Sequence, residues 1–255
     1  MKIPARGLLP LLALLIGSSV AAGEPAQQVL DKVAAAYGAM PPAAIRQTGT
    51  TTSFARGNGA LKRLFRAPDR FRSEISYASG NEVRTLRGAM AWNQGGQANA
   101  ALRGAIVLQA ARIGLPWNML ALKSGIVDKG IESNAEGKTV QLIEFQVEPQ
   151  LRMIVGIETE SGHIVRSLGI MTFGGQTVEF ATHYSDFHNQ GGRTHAGREE
   201  QFATGRHIGH SIIDKVEYPE TLPDGAFEPG AVVEARQPAD LELLATVTAQ
   251  KSDRH

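Results

Sequence analysis

Five of the seven histidines fall in one late stretch: His183, His188, His195, His207 and His210. Imidazoles that converge hold zinc or copper, so a metal-dependent hydrolase is one reading of this stretch. The spacing argues against it. The chain has no His-Glu-x-x-His pair, and His207 and His210, three apart on a strand, face opposite sides. Asp186 beside His183 or His188 supplies two parts of a nucleophile triad. No serine sits in a Gly-x-Ser-x-Gly turn, however, and no glycine-rich loop opens a helix as phosphate binding requires. Cysteine is absent, which removes thiolate metal sites, cysteine nucleophiles, disulfides and a lipid-modified N-terminal cysteine. On these grounds the sequence assigns no catalytic residue, no metal ligand and no cofactor.

A second concentration is basic: Arg46, Arg56, Lys62, Arg63, Arg66, Arg70, Arg72, Arg84 and Arg87. Such a rim suits phospholipid head groups or an acidic partner, while strand alternation turns many of these side chains outward to solvent. Over the whole chain 26 Lys+Arg meet 25 Asp+Glu, a net charge of +1. That balance excludes nucleic-acid binding driven by bulk charge, and also a highly charged disordered chain. With 255 residues, 42% of them hydrophobic, there is ample chain to bury a core.

The elements that must position these groups are mostly strands. Residues 1–22 read first as a secretory signal. Lys2 and Arg6 precede an apolar run from Leu8 to Ile16, too short to span a bilayer, and small residues up to Ala21 and Ala22 allow cleavage. The remaining chain is expected in a bacterial periplasm as a soluble protein. Ala26 to Met40 has the helical period, with Val29, Leu30, Val33 and Tyr37 on one stripe. Five strand candidates follow: Ile45–Arg56, Leu61–Ala67, Phe71–Tyr77, Glu82–Arg87 and Ala89–Asn93. In the third, Phe71, Ser73, Ile75 and Tyr77 alternate with Arg72, Glu74 and Ser76, the pattern of a strand with one buried face. The period changes to helical over Ala100–Arg112, and Pro116 opens a short second helix through Trp117, Met119, Leu120 and Leu122. Strand patterning resumes from Ile126. The candidates are Val140–Val147, Met153–Thr159, His163–Phe173, Thr177–Phe187, Arg198–Ala203 and His207–Tyr218, parted by turns such as Gly191-Gly192. We read residues 23–237 as one domain and 238–255 as a C-terminal tail.

Three stretches resemble the LolA/LolB-like superfamily of periplasmic lipoprotein carriers and outer-membrane lipoprotein-sorting proteins. They are VLDKVAAAYGAM at 29–40, FRAPDRFRSEI at 65–75, and HYSDFHNQGGRTHAGREEQF at 183–202 followed by IIDKVEYPETLPDGAFEP at 212–229. The resemblance implies a mainly β (α+β) fold: a single open, incomplete antiparallel β-barrel, here of about 10–11 strands, with an N-terminal helix and a helical lid insert. It implies a binding protein for hydrophobic or lipidated molecules rather than an enzyme, with a membrane-associated donor or acceptor protein as further partner.

An incomplete barrel has an apolar concave face that its own strands cannot fill. The expected lining is Phe71, Ile75, Leu86, Trp92, Ile154, Ile170 and Phe180, with Trp117, Met119, Leu120 and Leu122 as the lid. For any one of these a plain core position is the alternative. Burying an acyl chain of about 15 methylenes at about 0.8 kcal/mol each gives roughly 12 kcal/mol gross, from which lid opening and ligand ordering subtract several. The expected function is a periplasmic carrier for a lipid, a lipoprotein acyl chain or another hydrophobic ligand, moved toward the outer envelope. The alternative from another class is a non-catalytic envelope scaffold for a protein partner, which requires a filled barrel and an exposed apolar patch.

Overall fold

The computed structural model describes residues 26–122 and 125–230. The signal segment 1–22 and the tail 238–255 lie outside the described residues. Helix α1 (Ala26–Tyr37) is followed by strands β1 (Ile45–Ser53), β2 (Gly57–Arg66), β3 (Arg70–Tyr77), β4 (Gly80–Arg87), β5 (Met90–Asn93) and β6 (Gly96–Gln97). Helices α2 (Ala100–Ile113) and α3 (Trp117–Leu120) come next. Then follow β7 (Ile126–Ser133), β8 (Thr139–Glu148), β9 (Leu151–Glu158), β10 (Ile164–Phe173), β11 (Gln176–Gln190), β12 (Arg193–Ala203) and β13 (Arg206–Glu217), and a 3-10 turn at Asp224–Phe227.

All thirteen strands form one antiparallel sheet in the order β6-β5-β4-β3-β2-β1-β13-β12-β11-β10-β9-β8-β7. Every neighbouring pair is a hairpin in sequence except β1–β13, which joins an N-terminal meander to a C-terminal one. The count exceeds the expected ten or eleven by the two-residue β6 and by β7. β7 is an edge strand with mostly exposed residues on both faces, so it carries no alternating pattern to read.

The sheet curls around α2. That helix is capped by Asn99, whose side chain accepts from the Leu102 amide at 2.9 Å, and it buries Gly104, Ile106, Val107, Leu108, Ala110 and Ala111. Apolar residues on nearly every side identify a helix enclosed by protein. Gly104 lets it approach β9 and β10: a Cβ there would sit 2.5 Å from the Met171 sulfur. Helix α1 packs through Val29, Leu30, Val33 and Tyr37. The orphan carbonyls around its C-terminus are taken by side chains from elsewhere. Thr194 Oγ1 donates to Ala36 O at 2.7 Å, Arg193 Nη1 to Met40 O at 2.7 Å, and Trp117 Nε1 to Gly38 O at 2.8 Å.

β11 and β12 run past the expected boundaries, to Gln190 and from Arg193, because Gly191 and Gly192 at φ +62° and +75° make a two-residue turn whose twist matches the strands. This carries Thr194 and Arg193 out to α1. A second, smaller core lies outside the curl. Ala44, Leu64, Leu222 and Phe227 cluster there, and the C-terminal strap is fastened by Arg66 to Leu222 O at 2.7 Å and by Arg87 to Glu228 at 2.7 Å. Among the described residues no helix is long and apolar enough to cross a membrane.

Candidate functional site

Helix α2 fills only part of the concave face. Beside it lies a cavity of about 630 Å³, within the size range of small-molecule sites. It is walled by β1 to β4 on one side, by β11 to β13 on the other, and by α2. The strand registers place Ser53, Arg56, Tyr77, Gln176 and Thr204 around the hairpin tips at one end of the curl, where the cavity reaches the surface.

Each wall follows from a local period. Phe71, Ser73, Ile75 and Tyr77 of β3 all face in, as their alternation with charged residues requires. β11 contributes Val178, Phe180, Thr182 and Tyr184 at the same spacing of two. On α2 the inward stripe is Leu102, Ala105, Gln109 and Arg112, at steps of three and four.

Of the residues expected to line a cavity, Phe71, Ile75 and Phe180 do so. Leu86, at 4% exposure, is part of the main core. Ile170 is buried, and Trp92 and Ile154 are half-buried away from the cavity. None of Trp117, Met119, Leu120 and Leu122 lines it. Met119 is fully buried, Leu120 and Leu122 pack on the core, and Trp117 is held by Gly38 and by the Arg193 guanidinium 5.3 Å from its ring. Trp117 instead faces a smaller cavity of about 70 Å³, which shares Arg112, Ile113, Tyr184 and Glu199 with the larger one.

The feature that hydrophobic patterning misses is charge inside the curl. Arg56, Arg63, Arg84 and Arg112 line the cavity against two carboxylates, Glu82 and Glu199. Arg56 and Arg84 both pair with Glu82, at 2.9 and 2.8 Å. Arg63 Nη1 donates to both Glu199 oxygens, at 2.8 and 3.0 Å. Arg112 donates from Nε to Ser167 Oγ at 3.1 Å and from Nη2 to the Phe180 carbonyl. Ser167 Oγ in turn lies 2.9 Å from the Tyr184 hydroxyl. Burial lowers the pKa of Arg112 and raises that of Tyr184. The other basic residues of the early cluster stay on the outer face, where Arg66 meets Asp224, Arg72 meets Glu74 and Arg46 meets Glu217.

The late histidines are spread across three strands. His183 on β11 and His210 on β13 are separated by β12, and both register against Glu200. His188 and His195 face each other across the β11–β12 hairpin, ring centroids 5.7 Å apart. Among the described residues no group of three or more His, Asp, Glu or Cys side chains is arranged to hold a metal ion. Asp186 sits 3.5 Å from His188 on an exposed hairpin.

These titrations give an expected pH profile. Burial holds His163, His183 and His195 below the ordinary imidazole value. A depressed folded-state value contributes stability that is present above about pH 6.5 and lost as pH falls below it. Burial likewise pushes the hydroxyls of Tyr37, Tyr184 and Tyr218 up. Raised values contribute stability that is full below about pH 10 and lost above it. The melting temperature is therefore expected to be flat between these limits and to fall on both flanks. Thermal scans across pH check it, and a melting temperature that keeps rising through pH 11 refutes it.

No protein-family model matches the sequence, and no curated protein matches it. Solved structures share the fold at TM-scores of 0.50 and above, and a further one is a weaker likeness. A LolA superfamily protein from Nitrosomonas europaea superposes with a TM-score of 0.51 at 12% identity, over 80% of this chain and 98% of that one. A DUF1329 family protein from Desulfovibrio piger gives 0.50 at 10% identity, over 83% and 100%. A putative outer membrane lipoprotein-sorting protein domain from Vibrio parahaemolyticus gives 0.47 at 9%, over 79% and 94%. The fold is LolA-like.

Proposed function

We propose that this LolA-like chain is a periplasmic binding protein that takes a hydrophobic or amphipathic molecule into the cavity beside α2 and carries it toward the outer envelope. The observation that supports this reading is the cavity itself. About 630 Å³ open to one end of the curl, with Phe71, Ile75, Leu102, Ile113, Val178 and Phe180 on its walls, is space that the sheet and its helix leave for a ligand. A scaffold that only docks a partner on its surface has no use for such a volume, and filling it with side chains would stabilise the protein.

Native mass spectrometry with lipid extraction, on protein purified from a bacterial periplasm, tests the proposal. A co-purifying lipid or acylated molecule is expected. Ala105→Trp, which projects an indole from α2 into the cavity, is expected to reduce the bound fraction at least tenfold while leaving the far-ultraviolet dichroism spectrum intact. An apo mass from the wild type, with no saturable binding of added lipids, sinks the carrier reading and favours the scaffold.

A further inference from the structure

We infer that the ligand is an anionic amphiphile, and that Arg112 binds its oxyanion inside the cavity. This rests on the binding function proposed above and adds the chemical class of what is bound. Four guanidiniums and two carboxylates line the cavity, so its wall is cationic. Three of the four arginines are already committed to a carboxylate: Arg56 and Arg84 to Glu82, and Arg63 to Glu199.

Arg112 differs. Among the described residues no carboxylate lies within ion-pair distance of it, and its two hydrogen bonds go to a serine hydroxyl and a backbone carbonyl. Those bonds use Nε and Nη2. Nη1 makes no hydrogen bond among the described residues, and it is not among the sealed, unpartnered polar atoms, so it is open to the adjoining cavities that Arg112 lines. The Glu199 carboxylate acts on Arg112 through space but is bonded to Arg63, so this enclosed cation has no ion pair of its own, which is costly. A bound oxyanion supplies the missing charge through a charge-assisted bond to Nη1.

The surroundings suit such a group. Ser167 bridges Arg112 to the Tyr184 hydroxyl, which burial keeps protonated and able to donate. The same tyrosine also lines the cavity. From this polar end the apolar residues Ile113, Phe180, Phe71, Ile75, Leu102 and Val178 form the walls, a path for an alkyl chain. The chemistry recognised is a single negative head, carboxylate or phosphate, on a hydrocarbon tail.

The test uses four probes of equal chain length, titrated calorimetrically below their micelle concentrations at pH 8: dodecanoate, dodecyl phosphate, dodecanol and dodecyltrimethylammonium. Dodecanoate or dodecyl phosphate is expected to bind at least tenfold more tightly than dodecanol, and the ammonium more weakly still. Which anion binds better identifies the head group. In Arg112→Met the anion-to-alcohol ratio is expected to fall to about threefold or less, and in Arg112→Lys to stay above it. Equal affinities for anion and alcohol in the wild type overturn the inference while leaving the carrier reading standing. That comparison needs no variant, so a misfolded Arg112→Met does not remove the test. An anion preference that survives Arg112→Met overturns the placement at Arg112. Failure of every probe to bind overturns both readings.

Discussion

Gly49→Ala is expected to destabilise the protein by at least about 3 kcal/mol, the range reached when a substitution forces backbone apart. Gly49 lies on β1 at a register shift against β13. A Cβ at that position would stand 1.9 Å from the Ile212 carbonyl oxygen and 3.0 Å from its carbon. Both are backbone atoms of the partner strand, so no rotamer change relieves the overlap. The pairing must open, and β1–β13 is the pairing that joins the two meanders. Gly209 across the seam is held to the same requirement, since its Cβ would lie 2.1 Å from Thr52 O. For a chain of this size the loss corresponds to a melting temperature lower by roughly 6–12 °C. Gly225→Ala is the control. Nothing lies within 4 Å of the Cβ it would add, and a change within about 0.5 kcal/mol is expected. A melting temperature for Gly49→Ala within 2 °C of wild type, by thermal circular dichroism, would mean that the strands do not meet in this register.

The second large effect is expected at Glu199. Its side chain is 11% exposed, that of Arg63 15%, and Arg63 Nη1 bonds both carboxylate oxygens. Removing one partner of a buried pair leaves the other charge uncompensated, at a cost of about 3–5 kcal/mol. Here that cost is compounded because the Arg63 charge also acts on Arg112, so Glu199→Ala sets two cations facing one cavity with no carboxylate between them. The double variant Arg63→Met with Glu199→Met removes both charges and is expected to recover most of the loss. Urea unfolding of Glu199→Met, Arg63→Met and the double variant, beside Glu199→Ala, measures the coupling. A double variant as unstable as Glu199→Ala alone would show that the ion pair is not the source of the effect.

Much of this architecture is legible in the residues. The alternation of Phe71, Ser73, Ile75 and Tyr77 identifies both a strand and its inward face, and all four reach the cavity. The change of period at Ala100 marks α2, which ends one residue beyond the expected Arg112. The missed pieces share a cause. β7 and the outer part of the β11–β12 hairpin have little apolar side to bury, so no hydrophobic period announces them.

The site was legible only in its apolar half. Arg63 alternates in β2 with Leu61 and Phe65, both buried in the main core, and that spacing by two places it inside. Read only as one of a run of surface cations, it loses this meaning. Arg112 follows Gln109, Ala105 and Leu102 around one helical stripe, but a stripe that mixes two apolar residues with an amide and a guanidinium carries a weak hydrophobic signal. Trp117 and Met119 show the converse. They are expected as a lid over the cavity, yet both are buried in the main core and the Trp117 indole is held by the Gly38 carbonyl.

The strand order has a consequence for how the chain comes into being. Thr51 and His210 bond across the β1–β13 seam from positions 159 residues apart. Synthesis runs from the N-terminus, so β1 and its hairpins exist long before the strand that covers their free edge. Contacts of such high sequence separation form slowly, and an unpaired strand edge is a template for another chain's strand. The nascent protein thus passes through a period in which β1 offers its open side to any copy nearby. Crowded expression is where that exposure does harm.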